Sequence, residues 1–80
     1  MKYVLDGKKM VSREETHQYL KETFGFPDYY GKNLDALHDC LTEMTDFEVE
    51  LLNVDDMLKA LGRYGEILLQ VLDDVKKDKV

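Results

Sequence analysis

The sequence predicts an α/β fold: a small parallel sheet with about four helices packed on it. Three observations lead there. Two short runs, Tyr3-Val4-Leu5 and Phe47-Glu48-Val49-Glu50-Leu51, carry the residue types and, in the second, the strict alternation of half-buried strands. The segments between and after them repeat apolar residues at spacings of three and four, as helices with one buried face do. Helical crossovers between strands imply parallel pairing with right-handed connections. Two strands are evident, and a third is expected just after Val80, so the third is truncated or missing.

Each element has a local reason. Asp6-Gly7 is a turn signal that ends the first strand. Lys8 to Val11 either continues as an extended piece or leads into a helix. Ser12-Arg13-Glu14-Glu15 reads as a capping box, with Ser12 and Glu15 each accepting a backbone N–H of the other. That helix runs to about Phe24, with His17, Leu20 and Phe24 on one face. Gly25 stops it in the left-handed conformation, and Pro27 forbids its resumption. His17 on this apolar face is expected to be a satisfied core histidine.

The second helix begins after Asn33, a capping residue, and reaches about Met44. Leu34, Leu37, Leu41 and Met44 share one face, and Asp35, Asp39 and Glu43 form a ridge roughly opposite. Like charges one turn apart cost about 0.2–0.5 kcal/mol per pair on an isolated helix. After the second strand, which Leu52 and Val54 prolong out of alternation, Asp55 or Asp56 is expected to cap a short helix closed near Gly62. Gly65 precedes a last helix with Ile67, Leu68, Val71, Leu72 and Val75 inward and Leu69 turned to another surface. Lys76, Lys77 and Lys79 suit its C-terminal end.

Eighty residues, 44% hydrophobic, with one proline and five glycines, imply one globular domain over 1–80 without a flexible linker. The net charge of -6 is unevenly placed. Between Lys32 and Lys59 there is no base, and eight acids: Asp35, Asp39, Glu43, Asp46, Glu48, Glu50, Asp55 and Asp56. The rest of the chain carries nine acids and eleven bases. This middle argues against direct nucleic-acid binding, which needs Lys and Arg on phosphates, and favours a cationic protein partner.

No signal peptide or apolar run of about 20 residues is present, so no membrane contact is expected. Cys40 is alone, which suits a reducing compartment, and the cytoplasm is the expected location. The carboxylates around Cys40 would raise its pKa, so it is expected to be structural and buried. No phosphate loop, CxxC, HExxH or calcium loop occurs. Asp35, His38 and Asp39, with Glu43 one turn on, have a spacing that could hold a metal, but the set needs ligands from another element. No cofactor is called for, and a binding module is expected rather than an enzyme. Tyr29, at the edge of the ridge, is expected at the surface as an aromatic contact, and Tyr30 inside against Phe26.

The run Pro27-Asp28-Tyr29-Tyr30-Gly31-Lys32-Asn33-Leu34-Asp35-Ala36-Leu37-His38-Asp39-Cys40-Leu41-Thr42 closely resembles the signature of the barstar family, intracellular inhibitors of the ribonuclease barnase. Weaker similarity covers nearly the whole chain. The resemblance implies a barstar-like three-stranded parallel sheet, in order 1-2-3, with helices against it. It implies tight inhibition of a basic, barnase-type extracellular ribonuclease, whose active site the acidic helix and preceding loop would plug. On that resemblance Asp39 mimics the substrate phosphate, Asp35 lies beside it, and Tyr29 stacks on a catalytic histidine. Asn33, Leu34 and Thr42 flank, and Asp74 supplies a further acid from the last helix. His38 and Met44 stand where the barstar pattern has tryptophans, and Glu43 where it has glycine. The alternative is a barstar-like module for another cationic protein, and the third reading a carboxylate–metal hydrolase. With the third strand missing, the second strand would keep one bare edge, a route to self-association.

Overall fold

A computed structural model describes residues 2–44 and 47–78, with backbone only over 76–78. Asp46, Lys79 and Val80, together with the side chains of Lys76 and Lys77, therefore lie outside the described residues. The order is β1 (Lys2–Asp6), a 3-10 turn (Gly7–Lys9), α1 (Arg13–Phe24), α2 (Leu34–Glu43), β2 (Glu48–Leu52), α3 (Val54–Leu61) and α4 (Arg63–Asp78). Four helices on a small parallel sheet make the predicted α/β, barstar-like architecture.

β1 and β2 pair in parallel, from Lys2 opposite Glu48 to Asp6 opposite Leu52. The alternation then assigns the faces. Tyr3, Leu5, Val49 and Leu51 point toward the helices, while Lys2, Val4, Glu48 and Glu50 are exposed on the other face. Lys2 and Glu50 form a 3.9 Å ion pair there. Parallel sheets are usually covered on both faces, and the outward charges show why this one is not. Among the described residues the sheet has two strands. Leu52 is exposed, so the lost alternation at the end of β2 does not mark burial on both sides.

One core joins the elements: Leu5 of β1; Met10, before α1; Leu20 and Phe24 of α1; Leu37 and Leu41 of α2; Met57 of α3; and Leu68 and Val75 of α4, with Val49 and Leu51 of β2 packed against it. Fully burying such a side chain contributes about 1.5–3 kcal/mol, so the leucine face of α2 outweighs the repulsion along its ridge. α3 and α4 approach closely at Gly65, where a Cβ would stand 3.3 Å from both Leu58 Cδ2 and Leu61 Cβ.

Residues 7–9 form a 3-10 turn, begun by Asp6, whose side chain accepts the Lys8 N–H, and the chain leads from it into α1 rather than continuing extended. Three expectations are corrected. Asn53, not Asp55 or Asp56, is the N-cap of α3, in the left-handed conformation and without a side-chain cap bond. Its amide is occupied elsewhere, donating to Asp6 Oδ1 at 2.8 Å, and this bond together with the Lys8 N–H holds the Asp6 carboxyl below its usual range. α4 starts at Arg63, so Gly65 lies inside it. Ile67 is exposed rather than inward, because Leu68 and Val75 set the buried line of α4. Of the capping box, the Ser12 half forms, with Oγ accepting the Glu15 N–H at 3.1 Å.

Gly7 is where the turn meets the start of α3. A Cβ there would overlap the Asn53 carbonyl oxygen and lie 3.0 Å from that of Leu52. Because those atoms are backbone, Gly7→Ala is expected to lower stability by about 1–3 kcal/mol. A urea midpoint that falls with an unchanged slope checks this; an unchanged midpoint contradicts it.

Candidate functional site

The site is built by the turn between α1 and α2. Gly25, at φ 71°, ends α1 as predicted. The N–H groups of Gly25 and Phe26 both reach the Lys21 carbonyl, at 2.9 and 3.0 Å, and Lys21 also pairs with Asp28 at 3.4 Å. The Tyr30 N–H closes a turn onto the Pro27 carbonyl at 3.0 Å. This turn sends the two tyrosines opposite ways: Tyr29 is 84% exposed and Tyr30 is 5% exposed. Tyr30 packs on Phe26 with ring centroids 4.8 Å apart, and Phe26 stacks on Phe24 at 5.3 Å.

A buried polar bridge fixes that arrangement. His17, 1% exposed, meets Tyr30 Oη through Nδ1 at 2.7 Å and Tyr64 Oη through Nε2 at 2.6 Å. A neutral imidazole donates from one nitrogen and accepts at the other, so one tyrosine hydroxyl accepts and the other donates. The predicted core role of His17 is therefore met, by partners on two other segments. Burial lowers the His17 pKa below its ordinary value of 6.5 and raises that of Tyr30. Tyr64 lies under the Arg13 guanidinium, 4.4 Å from its ring centroid.

Beyond the tyrosines the chain turns into α2. Lys32 takes a positive φ of 53°, and Asn33 Oδ1 accepts the Ala36 N–H at 2.7 Å, the predicted cap. Leu37 and Leu41 are fully buried, which turns Asp35, Asp39, Thr42 and Glu43 out to solvent. No base lies in the last turn of α2. Leu34, His38 and Met44 are half-buried, and Thr42 Oγ1 donates to the His38 carbonyl at 2.7 Å.

A cleft of about 470 Å³ opens between the turn and α2. Tyr29, Asp39, Glu43 and Met44 of the expected site line it, together with Phe24, Phe26, Tyr30 and Cys40. Asn33, Leu34, Asp35, His38 and Thr42 share its helix or cap without lining it, and Asp74 is exposed on α4, which packs against α2. Cys40 was expected to be buried; it is half-buried and forms part of the wall. Burial, then Glu43 and Asp39, push its thiol pKa up, which disfavours the thiolate form. The metal reading finds no group of three or more ligating side chains among the described residues. Nor is any described helix long and apolar enough to cross a membrane.

A small parallel α/β fold that displays an acidic helix and an aromatic turn defines the class. The family model described as Barstar (barnase inhibitor) matches residues 1–79. A Bacillus subtilis (strain 168) protein named "Putative ribonuclease inhibitor YrdF" is 38% identical over 79 residues, covering 96% of this chain and 87% of its own. The chain belongs to the barstar family.

The His17 bridge sets a pH dependence. Its folded pKa is depressed, so the unfolded chain takes up the proton first as pH falls. The stability that the neutral ring contributes is full above pH 6.5 and is lost as pH drops from there toward the folded value. Urea midpoints of the native protein should thus fall from about pH 7.5 to about pH 5.5, and those of His17→Gln should fall less. Equal falls in both would remove His17 as the cause.

Proposed function

We propose that this protein inhibits, inside the cell that makes it, a basic ribonuclease of the barnase type by laying α2 and the preceding turn over its active site. The observation that carries this is the solvent-facing row Asp35, Asp39 and Glu43 on a helix beside an almost fully exposed Tyr29. Family membership and the naming of the Bacillus relative support it.

A ribonuclease site collects cations to bind phosphate, and a fixed carboxylate can satisfy them without a scissile bond. In this reading Asp39 takes the phosphate's place, with Asp35 beside it. Tyr29 lies against a catalytic histidine, and Asn33, Leu34 and Thr42 flank the contact. His38, Glu43 and Met44 form its edge, and Asp74 adds an acid from α4. The inhibitor does no chemistry of its own. Its acidic face also raises the encounter rate with a basic partner, an effect that salt screens.

With a purified basic ribonuclease of this type, Asp39→Ala should weaken binding by at least about a hundredfold, as when one member of a buried ion pair is removed. Glu48→Ala, on the far face of the sheet, should change it by less than about threefold. Association should slow as salt rises. Equal effects of the two substitutions defeat the assignment. Retention of a different cationic protein through Asp39, with no effect on ribonucleases, selects the alternative reading of the family fold.

We further propose self-association through the outer edge of β2. Val49 and Leu51 there border a groove of about 220 Å³ shared with Leu69, Leu72 and Asp73 of α4. Pairing two copies would cover this apolar strip but bring Glu48 and Glu50 of each together. Salt should therefore promote it, the reverse of its effect on ribonuclease binding. Sedimentation at rising concentration and salt checks this; a monomer throughout rules it out.

A further inference from the structure

The bridge that His17 makes with Tyr30 and Tyr64 has a direction, and the two hydroxyls are not equally placed to set it. Tyr30 is 5% exposed and its bond to Nδ1 is buried; Tyr64 is half-buried and its bond to Nε2 only partly withdrawn from water. A hydroxyl that accepts a hydrogen bond must still place its own proton. Among the described residues, Nδ1 is the hydrogen-bond partner of the Tyr30 hydroxyl, whereas the Tyr64 proton can turn to water. Donation from Tyr30 to Nδ1, and from Nε2–H to Tyr64, is therefore the arrangement that strands no buried donor.

Tyr64 is well fixed for this task. Arg13 and His17 stand one turn apart on α1. The Arg13 guanidinium lies 4.4 Å from the Tyr64 ring centroid while His17 meets its hydroxyl, so one face of α1 grips both ends of the side chain. The next residue, Gly65, is where α4 packs on Leu58 and Leu61 of α3.

We propose that Tyr64 is a positioning residue for the turn before α2: by accepting from His17 Nε2–H it leaves Nδ1 free to hold the Tyr30 hydroxyl, and with it the turn that presents Tyr29. Tyr64 does not line the cleft; it acts through His17. Its effect on binding rests on the inhibitor reading, and the proton arrangement does not. A turn already held in its binding shape gives up less freedom on association. Without the Tyr64 hydroxyl the Nε2 proton has no acceptor. The ring then carries its proton on Nδ1, donates to Tyr30, and strands the Tyr30 proton instead.

The test reads the imidazole nitrogen shifts of the full chain at about pH 8, where His17 is neutral, together with binding to a purified basic ribonuclease. In the native protein Nε2 should be the protonated nitrogen. Tyr64→Phe should move the proton to Nδ1, shift the backbone amides of Tyr29 and Tyr30, and weaken binding by about threefold to tenfold. Tyr19→Phe is the control, because its hydroxyl accepts the Asp6 N–H at 3.0 Å, away from the turn. It should lower the urea midpoint and leave both tautomer and affinity unchanged. A native protein protonated at Nδ1 overturns the proposal, whether or not Tyr64→Phe folds. So does a Tyr64→Phe protein that keeps the native tautomer, or one that binds a ribonuclease as tightly as the native protein does. Tautomer and amide changes in a protein that binds no ribonuclease sink the inhibitor reading and keep the positioning of the turn.

Discussion

The turn between α1 and α2 depends on one buried imidazole. His17 stands on α1 and holds Tyr30 of that turn with one nitrogen and Tyr64 of α4 with the other. The Tyr30 bond is buried and the Tyr64 bond partly so, and a buried polar group left unpaired costs about 1–3 kcal/mol. The three segments are therefore satisfied together or not at all. The bridge holds Tyr30 inward, while the local turn leaves its neighbour Tyr29 exposed.

The acidic helix shows a local choice overruled by the global one. Its ridge is repulsive, and its last turn lacks the bases that a helix C-terminus favours. What keeps it helical is the buried pair Leu37 and Leu41, the Asn33 cap and the core beneath. Conflicts of this kind are expected where a surface is shaped for a partner rather than for the fold. The same holds for Lys32, a non-glycine residue at positive φ just before the cap, in a region such residues enter at a cost.

Much of this was legible in the residues. The strand alternation, the Ser12 and Asn33 caps, the Gly25 stop and the opposite fates of Tyr29 and Tyr30 all follow from local rules, and the structure has them. The motif that runs from Pro27 to Thr42 pointed to the family that the comparisons show. What escaped depends on residues far apart in the chain. No local signal links His17 to Tyr64, and Asn53 stands in the left-handed conformation with its amide donating to Asp6 and no side-chain cap bond. Periodicity places Ile67 inward, but Leu68 and Val75 carry the buried line of α4, which packs on α3 at Gly65. Cys40 is expected in the core because its acidic neighbours leave the thiol no reactive role; a neighbouring cleft leaves it half open.

The crossover that joins β1 to β2 contains the whole recognition turn and α2. The sheet can close only when residues near the N-terminus find partners beyond that crossover, a non-local event that is slow relative to helix formation. α1 and α2 are made before α4, so Tyr64 arrives only after both. A nascent chain therefore presents its row of acids before it can lock them. The bridge that fixes the turn before α2 is thus completed by a helix made after it.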